Sequence, residues 1–335
     1  MKPEVQPDPE PGDQPSDRRS AVVLDSAVQR LLDASADPPY LHELGPVDGR
    51  EALLEAQGDR FEDFDVAVAF RVAVVESDLV GFTTLRPKGL IGKLPVILYV
   101  HGGRWMLGDA QTHAYLAAEL AIAAGAAVVM PEYTRTPEAR YPTAIEECYA
   151  TMTWVLQEAD KLGLDADRLA LAGDCAGATI ATAMTMLARR RGGPRISGQL
   201  LFYPVLDARC DSASQREFAT GHLLTRDALR WYWEEYIADP RQQADPIASP
   251  QCAAREDLEG LPRTLIITAE ADVTRDEGEH YARRLRHAGV PATALRFLGT
   301  VHDFVSLSAL RDSPPTQTAI RQGGDFLRGV LHSSR

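Results

Sequence analysis

The sequence predicts an α/β protein, a mostly parallel central sheet with helices on both faces, and three observations predict it. Continuous apolar runs such as residues 95–100 (PVILYV) read as strands buried on both faces. They alternate along the chain with longer runs whose apolar residues recur at helical spacing. At residues 169–178 (LALAGDCAGA) a strand passes into a helix through a tight glycine-flanked turn. Side chains able to do chemistry fall just after predicted strands, where open α/β sheets keep their sites.

Composition narrows the class. The 335 residues are 45% hydrophobic and 25% charged, which suits a soluble globular chain with a sizeable core. A formal net charge of −13 argues against nucleic acid or an anionic membrane as partner. The four cysteines, Cys148, Cys175, Cys210 and Cys252, make no disulfide framework, and none has CxxC or Cys/His spacing. Neither a metal nor a cofactor is expected. The start of the chain, MKPEVQPDPEP, is acidic and proline-rich without an apolar core of a signal peptide, so residues 1–20 are expected to be a disordered tail. The apolar stretch 117–130 is too short to span a bilayer, and a cytoplasmic location is expected.

Taken in order, residues 21–34 and 50–57 read as amphipathic helices. Residues 64–75 and 79–86 read as paired strands, and 95–100 as the buried strand. Helix 112–124, strand 126–132 and helix 144–162 lead to the strand before the glycine-flanked turn. Beyond it come strands 199–203, 264–269 and 294–298, alternating with helices 277–288 and 319–331. Residues 227–236 (DALRWYWEEY) break the alternation as an aromatic helix inserted between strands. The resulting segments are a tail (1–20), N-terminal helices (21–60), a first core part (61–205), an insertion (206–250) and a second core part (251–335).

Four stretches carry the chemistry. In Gly173-Asp-Cys175-Ala-Gly177 the two glycines let a helix begin hard against a strand, which lifts Cys175 above the sheet as a nucleophile elbow does. The N–H of Ala176 and the positive end of the new helix face the same point. Taken alone, a small buried Cys at a strand–helix junction is an equally good reading. His101-Gly102-Gly103-Arg104-Trp105 follows the strand at 95–100, and its paired glycines suit N–H groups that approach a substrate oxygen. Asp272 lies at the end of one later strand and His302 follows the last. The chain order nucleophile, acid, His is that of α/β-hydrolases. The remaining histidines lack such partners, with His113 and His222 the least certain.

On these motifs the chain resembles the hormone-sensitive-lipase-like esterases of the α/β-hydrolase fold. The resemblance extends through residues 101–109 (HGGRWMLGD), 132–138, 141–144, 203–204, 224–227 and 245–250. It implies Cys175 as nucleophile, His302 as base and Asp272 as its orienter, with Gly102, Gly103 and Ala176 as oxyanion donors. It implies also that the N-terminal helices and the insertion form a cap. Arg104 and Trp105 are read as substrate-binding.

This sequence departs from the family pattern at four positions. Cys175 stands for Ser, Arg104 for a third Gly, Ala178 for a Gly and Asp303 for the Gly after the His, a set better explained by divergence than by a single replacement. Arg104 either pairs with Asp303 or Asp109, or holds a substrate carboxylate or phosphate. A cysteine at the apex implies a thioester intermediate. The favoured function is hydrolysis of esters, lactones or thioesters by a Cys-His-Asp triad. The alternatives are an acyltransferase, cyclase or chain-releasing enzyme on the same triad, and a ligand-binding protein on the same fold. The expected partner is a small acyl substrate, acidic or carrier-bound, with the chain a monomer or homodimer.

Overall fold

In chain order the elements are helices α1 (Ser26–Ala34) and α2 (Gly45–Gln57), strands β1 (Val66–Val75), β2 (Asp78–Pro87) and β3 (Leu94–Val100), helix α3 (Ala114–Ala124), strand β4 (Ala127–Pro131), and helices α4 (Thr143–Gln157) and α5 (Ala159–Leu162). Strand β5 (Leu164–Asp174), helix α6 (Cys175–Arg190), strand β6 (Gly198–Phe202) and helices α7 (Ala213–Glu217), α8 (Arg226–Tyr236) and α9 (Arg255–Leu258) follow. Strand β7 (Arg263–Ala271), helix α10 (Arg275–His287), strand β8 (Ala292–Val301) and helix α11 (Pro314–His332) complete the fold. This computed structural model describes residues 22–58, 60–75 and 78–333. The expected tail at 1–20 lies outside them.

The strands make one eight-stranded sheet in the order β1-β2-β4-β3-β5-β6-β7-β8. β1 and β2 are an antiparallel pair, β2 meets β4 antiparallel, and the sheet is parallel from β4 to β8. Every residue of β3 is buried, as its unbroken apolar run requires of a central strand. Pro95 is accommodated where the β3–β5 register shifts, since it has no N–H for the ladder. α3 and α11 pack on each other and on the sheet, while α4, α6 and α10 pack on the sheet as a second group.

Several boundaries shift by a few residues from the sequence reading, and one helix divides. The single helix expected at 144–162 is two, α4 and α5, with Glu158 (φ −93°, ψ 8°) as the cap residue shared between them. The helix after the turn begins at Cys175 itself, and all residues from Cys175 to Ala188 are buried. Its Ala, Gly and Thr side chains are small enough for close approach to β3, β5 and β6. Two of its threonines are satisfied locally, with Thr182 Oγ1 donating to Ala178 O at 2.8 Å and Thr185 Oγ1 to Thr182 O at 2.8 Å, while Thr179 Oγ1 donates to Val205 O beyond the helix.

Of the N-terminal helices, α2 joins α8 over the loop after β3. There Leu53, Met106, Leu107, Ala228 and Tyr232 form a satellite apolar cluster. α1 packs instead against β8, where Asp25 N donates to Gly299 O at 2.9 Å.

Candidate active site

The elbow is built by steric necessity. A Cβ on Gly173 would lie 2.6 Å from Gly177 O, and one on Gly177 only 2.1 Å from Val100 O. Only glycine lets β5 turn into α6 against the end of β3. Between them Cys175 is held at φ 51°, a left-handed conformation that costs a non-glycine residue about 1–3 kcal/mol and that the packing on both sides enforces. Cys175 is 0% exposed.

Asp272, at the end of β7, is held by Thr274, whose N–H and Oγ1 each donate to its carboxylate at 2.9 Å. Its Oδ2 lies 2.8 Å from His302 Nδ1, which fixes the tautomer and orientation of the ring. The other ring nitrogen, Nε2, is buried without a hydrogen-bond partner. The ligating atoms of Cys175, His302 and Asp303 all lie within 4.8 Å of one another. Burial alone would lower the His302 pKa; Asp272, then Cys175 and Asp303, outweigh it and raise the imidazole well above its ordinary value. The Tyr203 ring, its centroid 4.9 Å from that of His302, covers a face of the imidazole.

The loop after β3 supplies main-chain N–H groups. Gly103 is at φ 99°, and a Cβ there would meet Leu107 O at 2.3 Å, so the second glycine is obligatory. Arg104 and Trp105 follow at φ 57° and 59°. Gly102, expected as an oxyanion donor, is not free to act as one: its N–H donates to Asp174 Oδ1 at 2.9 Å. The N–H groups of Gly103 and Arg104 donate to no backbone acceptor among the turn and loop hydrogen bonds of the described residues. The N–H of Ala176 lies in the first turn of α6, beyond reach of the helix's own carbonyls.

Arg104, read as a substrate-binding cation, already has a carboxylate. Its Nη2 lies 2.6 Å from Asp303 Oδ2, with both side chains almost wholly buried. Burial lowers the Arg104 pKa, but Asp303, followed by Cys175 and Tyr232, more than restores it, and the guanidinium stays charged. Asp303 sits at φ 63°, a conformation that glycine and Asp tolerate better than most residues. Its other oxygen, Oδ1, is 3.6 Å from His302 Nε2. Trp105 is 1% exposed and stacks on Tyr236 with centroids 4.4 Å apart and an angle of 8°, with Trp233 also at 4.4 Å. It ties the loop after β3 to α8.

Sequence reasoning missed a second buried cluster beneath the site. Asp174 accepts from Tyr99 Oη at 2.5 Å as well as from Gly102 N, and its Oδ2 lies 3.4 Å from His113 Nε2. A fully buried carboxylate needs such company. Burial raises its pKa, but His113 and Tyr99 outweigh that and hold it below the ordinary carboxylate value. Burial lowers the pKa of His113, whereas Asp174 raises it to a net upward shift. His101 stacks on Tyr133 with centroids 4.4 Å apart and is held neutral, its pKa lowered to about 3 by burial and then by His113. The available signal was an Asp immediately before the apex of a buried elbow. His222 has a ring nitrogen 2.9 Å from Thr220 O and does not join either group.

Known proteins share this fold. A family model described as alpha/beta hydrolase fold matches residues 97–306. A putative alpha/beta hydrolase of Acanthamoeba polyphaga mimivirus is 35% identical over 89% of this chain and 85% of its own. An esterase of Gibberella moniliformis is 31% identical over 93% of this chain and 99% of its own. Among solved structures, a thermostable esterase from Pseudomonas putida superimposes with a TM-score of 0.90 at 38% identity, covering 94% of this chain and 99% of that one. The chain belongs to the alpha/beta-hydrolase family, in its esterase branch.

Proposed function

We propose that the chain hydrolyses carboxylic esters, lactones or thioesters through a Cys175–His302–Asp272 triad and a thioester intermediate. The observation that carries this reading is the state of His302: Nδ1 bound to Asp272, and Nε2 buried, unpartnered and close to Cys175. An imidazole so held takes the thiol proton as Cys175 Sγ attacks the acyl carbon. The oxyanion meets the N–H groups of Ala176 and Gly103, with that of Arg104 beside them, and the positive end of α6. The tetrahedral adduct collapses, His302 gives its proton to the leaving alcohol or thiol, and the acyl group stays on sulfur. Water, deprotonated by His302, then releases the acid and restores the thiol.

The names of the relatives support the ester class. One, from Pseudomonas putida, is an ethyl acetate hydrolase, 35% identical over 64% of this chain and 67% of its own. Another, from Mycobacterium tuberculosis, is a carboxylesterase, 37% identical over 72% of this chain and 75% of its own. The complete burial of Cys175 favours a second reading, acyl transfer, because a thioester shielded from water survives to meet an amine or thiol.

Short p-nitrophenyl esters test the proposal. The native chain should release nitrophenol catalytically, Cys175→Ala should not, and Cys175→Ser should retain esterase activity on otherwise intact machinery. A Cys175→Ala variant as active as the native chain would refute the triad.

A further inference from the structure

We propose that Cys175 Sγ, His302 Nε2 and Asp303 Oδ1 form a three-ligand site for a divalent cation of the zinc class, and that occupancy takes the nucleophile out of acyl chemistry. The second half rests on the function proposed above; the site itself does not.

The geometry carries the first half. The three ligating atoms lie within 4.8 Å of one another and are buried; zinc, with bonds of about 2.0–2.3 Å, sets its ligands about 3.5 Å apart, so binding draws these side chains together by about an ångström. Sulfur, imidazole nitrogen and carboxylate oxygen are the donors that zinc takes, and three protein ligands with one open position is the pattern of its catalytic sites. His302 Nε2 needs a partner and has none.

The supporting contacts of a metal site are already in place. Nδ1 of His302 is held at 2.8 Å by the Asp272 carboxylate, the carboxylate–histidine arrangement that orients an imidazole toward a metal. Asp303 uses its two oxygens differently. Oδ2 binds Arg104 at 2.6 Å, while Oδ1 stands 3.6 Å from His302 Nε2, so the ion pair orients the ligating oxygen. Formal charge agrees as well. Asp272 and Asp303 against Arg104 leave one negative charge uncompensated among these groups, while the Cys175–His302 pair shares one proton. A divalent cation entering as that proton leaves to solvent neutralises the cluster, with no change of oxidation state. With Sγ and Nε2 both ligated, neither attack on an acyl carbon nor proton transfer is available.

Cobalt(II) is the probe, because a thiolate ligand gives it a near-ultraviolet charge-transfer band. The native chain should develop this band with one equivalent bound, zinc should displace it, and zinc should protect Cys175 from iodoacetamide. Cys175→Ala should lose the band. Asp303→Gly, suited to the positive φ, should weaken binding by more than tenfold, since the loss of an outer-shell partner alone costs about 10–100-fold and here a ligand is removed. If the unpaired Arg104 prevents folding, the double change Arg104→Gly with Asp303→Gly removes both charges and should show the same weakening. No band from a native chain whose Cys175 alkylates normally would overturn the site. So would a band that survives Cys175→Ala, or undiminished affinity without Asp303. A chain that forms an acyl adduct but binds no cobalt loses only the metal site; one with the band but no acyl adduct when metal-free loses the catalytic reading instead.

Discussion

His302 is where the charges of the site meet, and its environment has consequences for both rate and stability. Asp272 holds the ring in one tautomer at 2.8 Å. Asp272→Asn should therefore lower kcat/KM on ester substrates by on the order of 10³–10⁴, as removal of a triad carboxylate does elsewhere. The same contact has a pH signature. The folded His302 pKa is raised well above its ordinary value despite burial, chiefly through Asp272. That stabilisation is fully present below the unfolded value of about 6.5 and is lost as pH rises through the folded value. Calorimetric scans should show the gap in Tm between native and Asp272→Asn chains widest in the acidic range, narrowing as pH rises. A gap that widens with pH would contradict this assignment of charge.

At the scale of elements, the loop after β3 is clamped between the sheet and α8. Below it Gly102 N binds Asp174; above it Trp105 is stacked on Tyr236 and tilted against Trp233. Trp233→Ala should cost about 3–5 kcal/mol, the usual range for deleting a buried aromatic ring, measured by denaturant unfolding. Because the same ring fixes the position of the N–H donors, ester turnover in the variant should fall even where it is fully folded. An unchanged rate would separate α8 from the site. Much of this arrangement was legible in sequence, since the elbow and the paired glycines are contiguous motifs whose backbone needs only glycine can meet. The direction of the N–H groups was not. Gly102 and Gly103 are alike as letters, and only the close approach of Asp174 makes one a strut and leaves the other free. The Asp174, Tyr99 and His113 cluster was hidden for a related reason. Parallel pairing sets Tyr99 opposite Ala172 and Val100 opposite Gly173, so Tyr99 meets Asp174 only once that register exists.

For the whole molecule, the order of strands converts a linear pattern into one site. β3, β5, β7 and β8 lie in the parallel part of the sheet, with the glycine-pair loop, Cys175, Asp272 and His302 at or just after their C-terminal ends. That convergence follows from alternation and chain order, which is why the acid and the histidine were readable although 30 residues separate them. Arg104 and Asp303, 199 residues apart, were weighed as partners only because both depart from the resembled pattern. In the proposed function Cys175 carries the acyl group. Its most direct test is intact mass of the metal-free native chain mixed rapidly with a short acyl ester or thioester, followed by peptide mapping under acidic quench. A mass increase of one acyl group is expected, located on Cys175 and absent from Cys175→Ala. Catalytic turnover with no acyl adduct at any time, or an adduct on Cys148, Cys210 or Cys252, would contradict it.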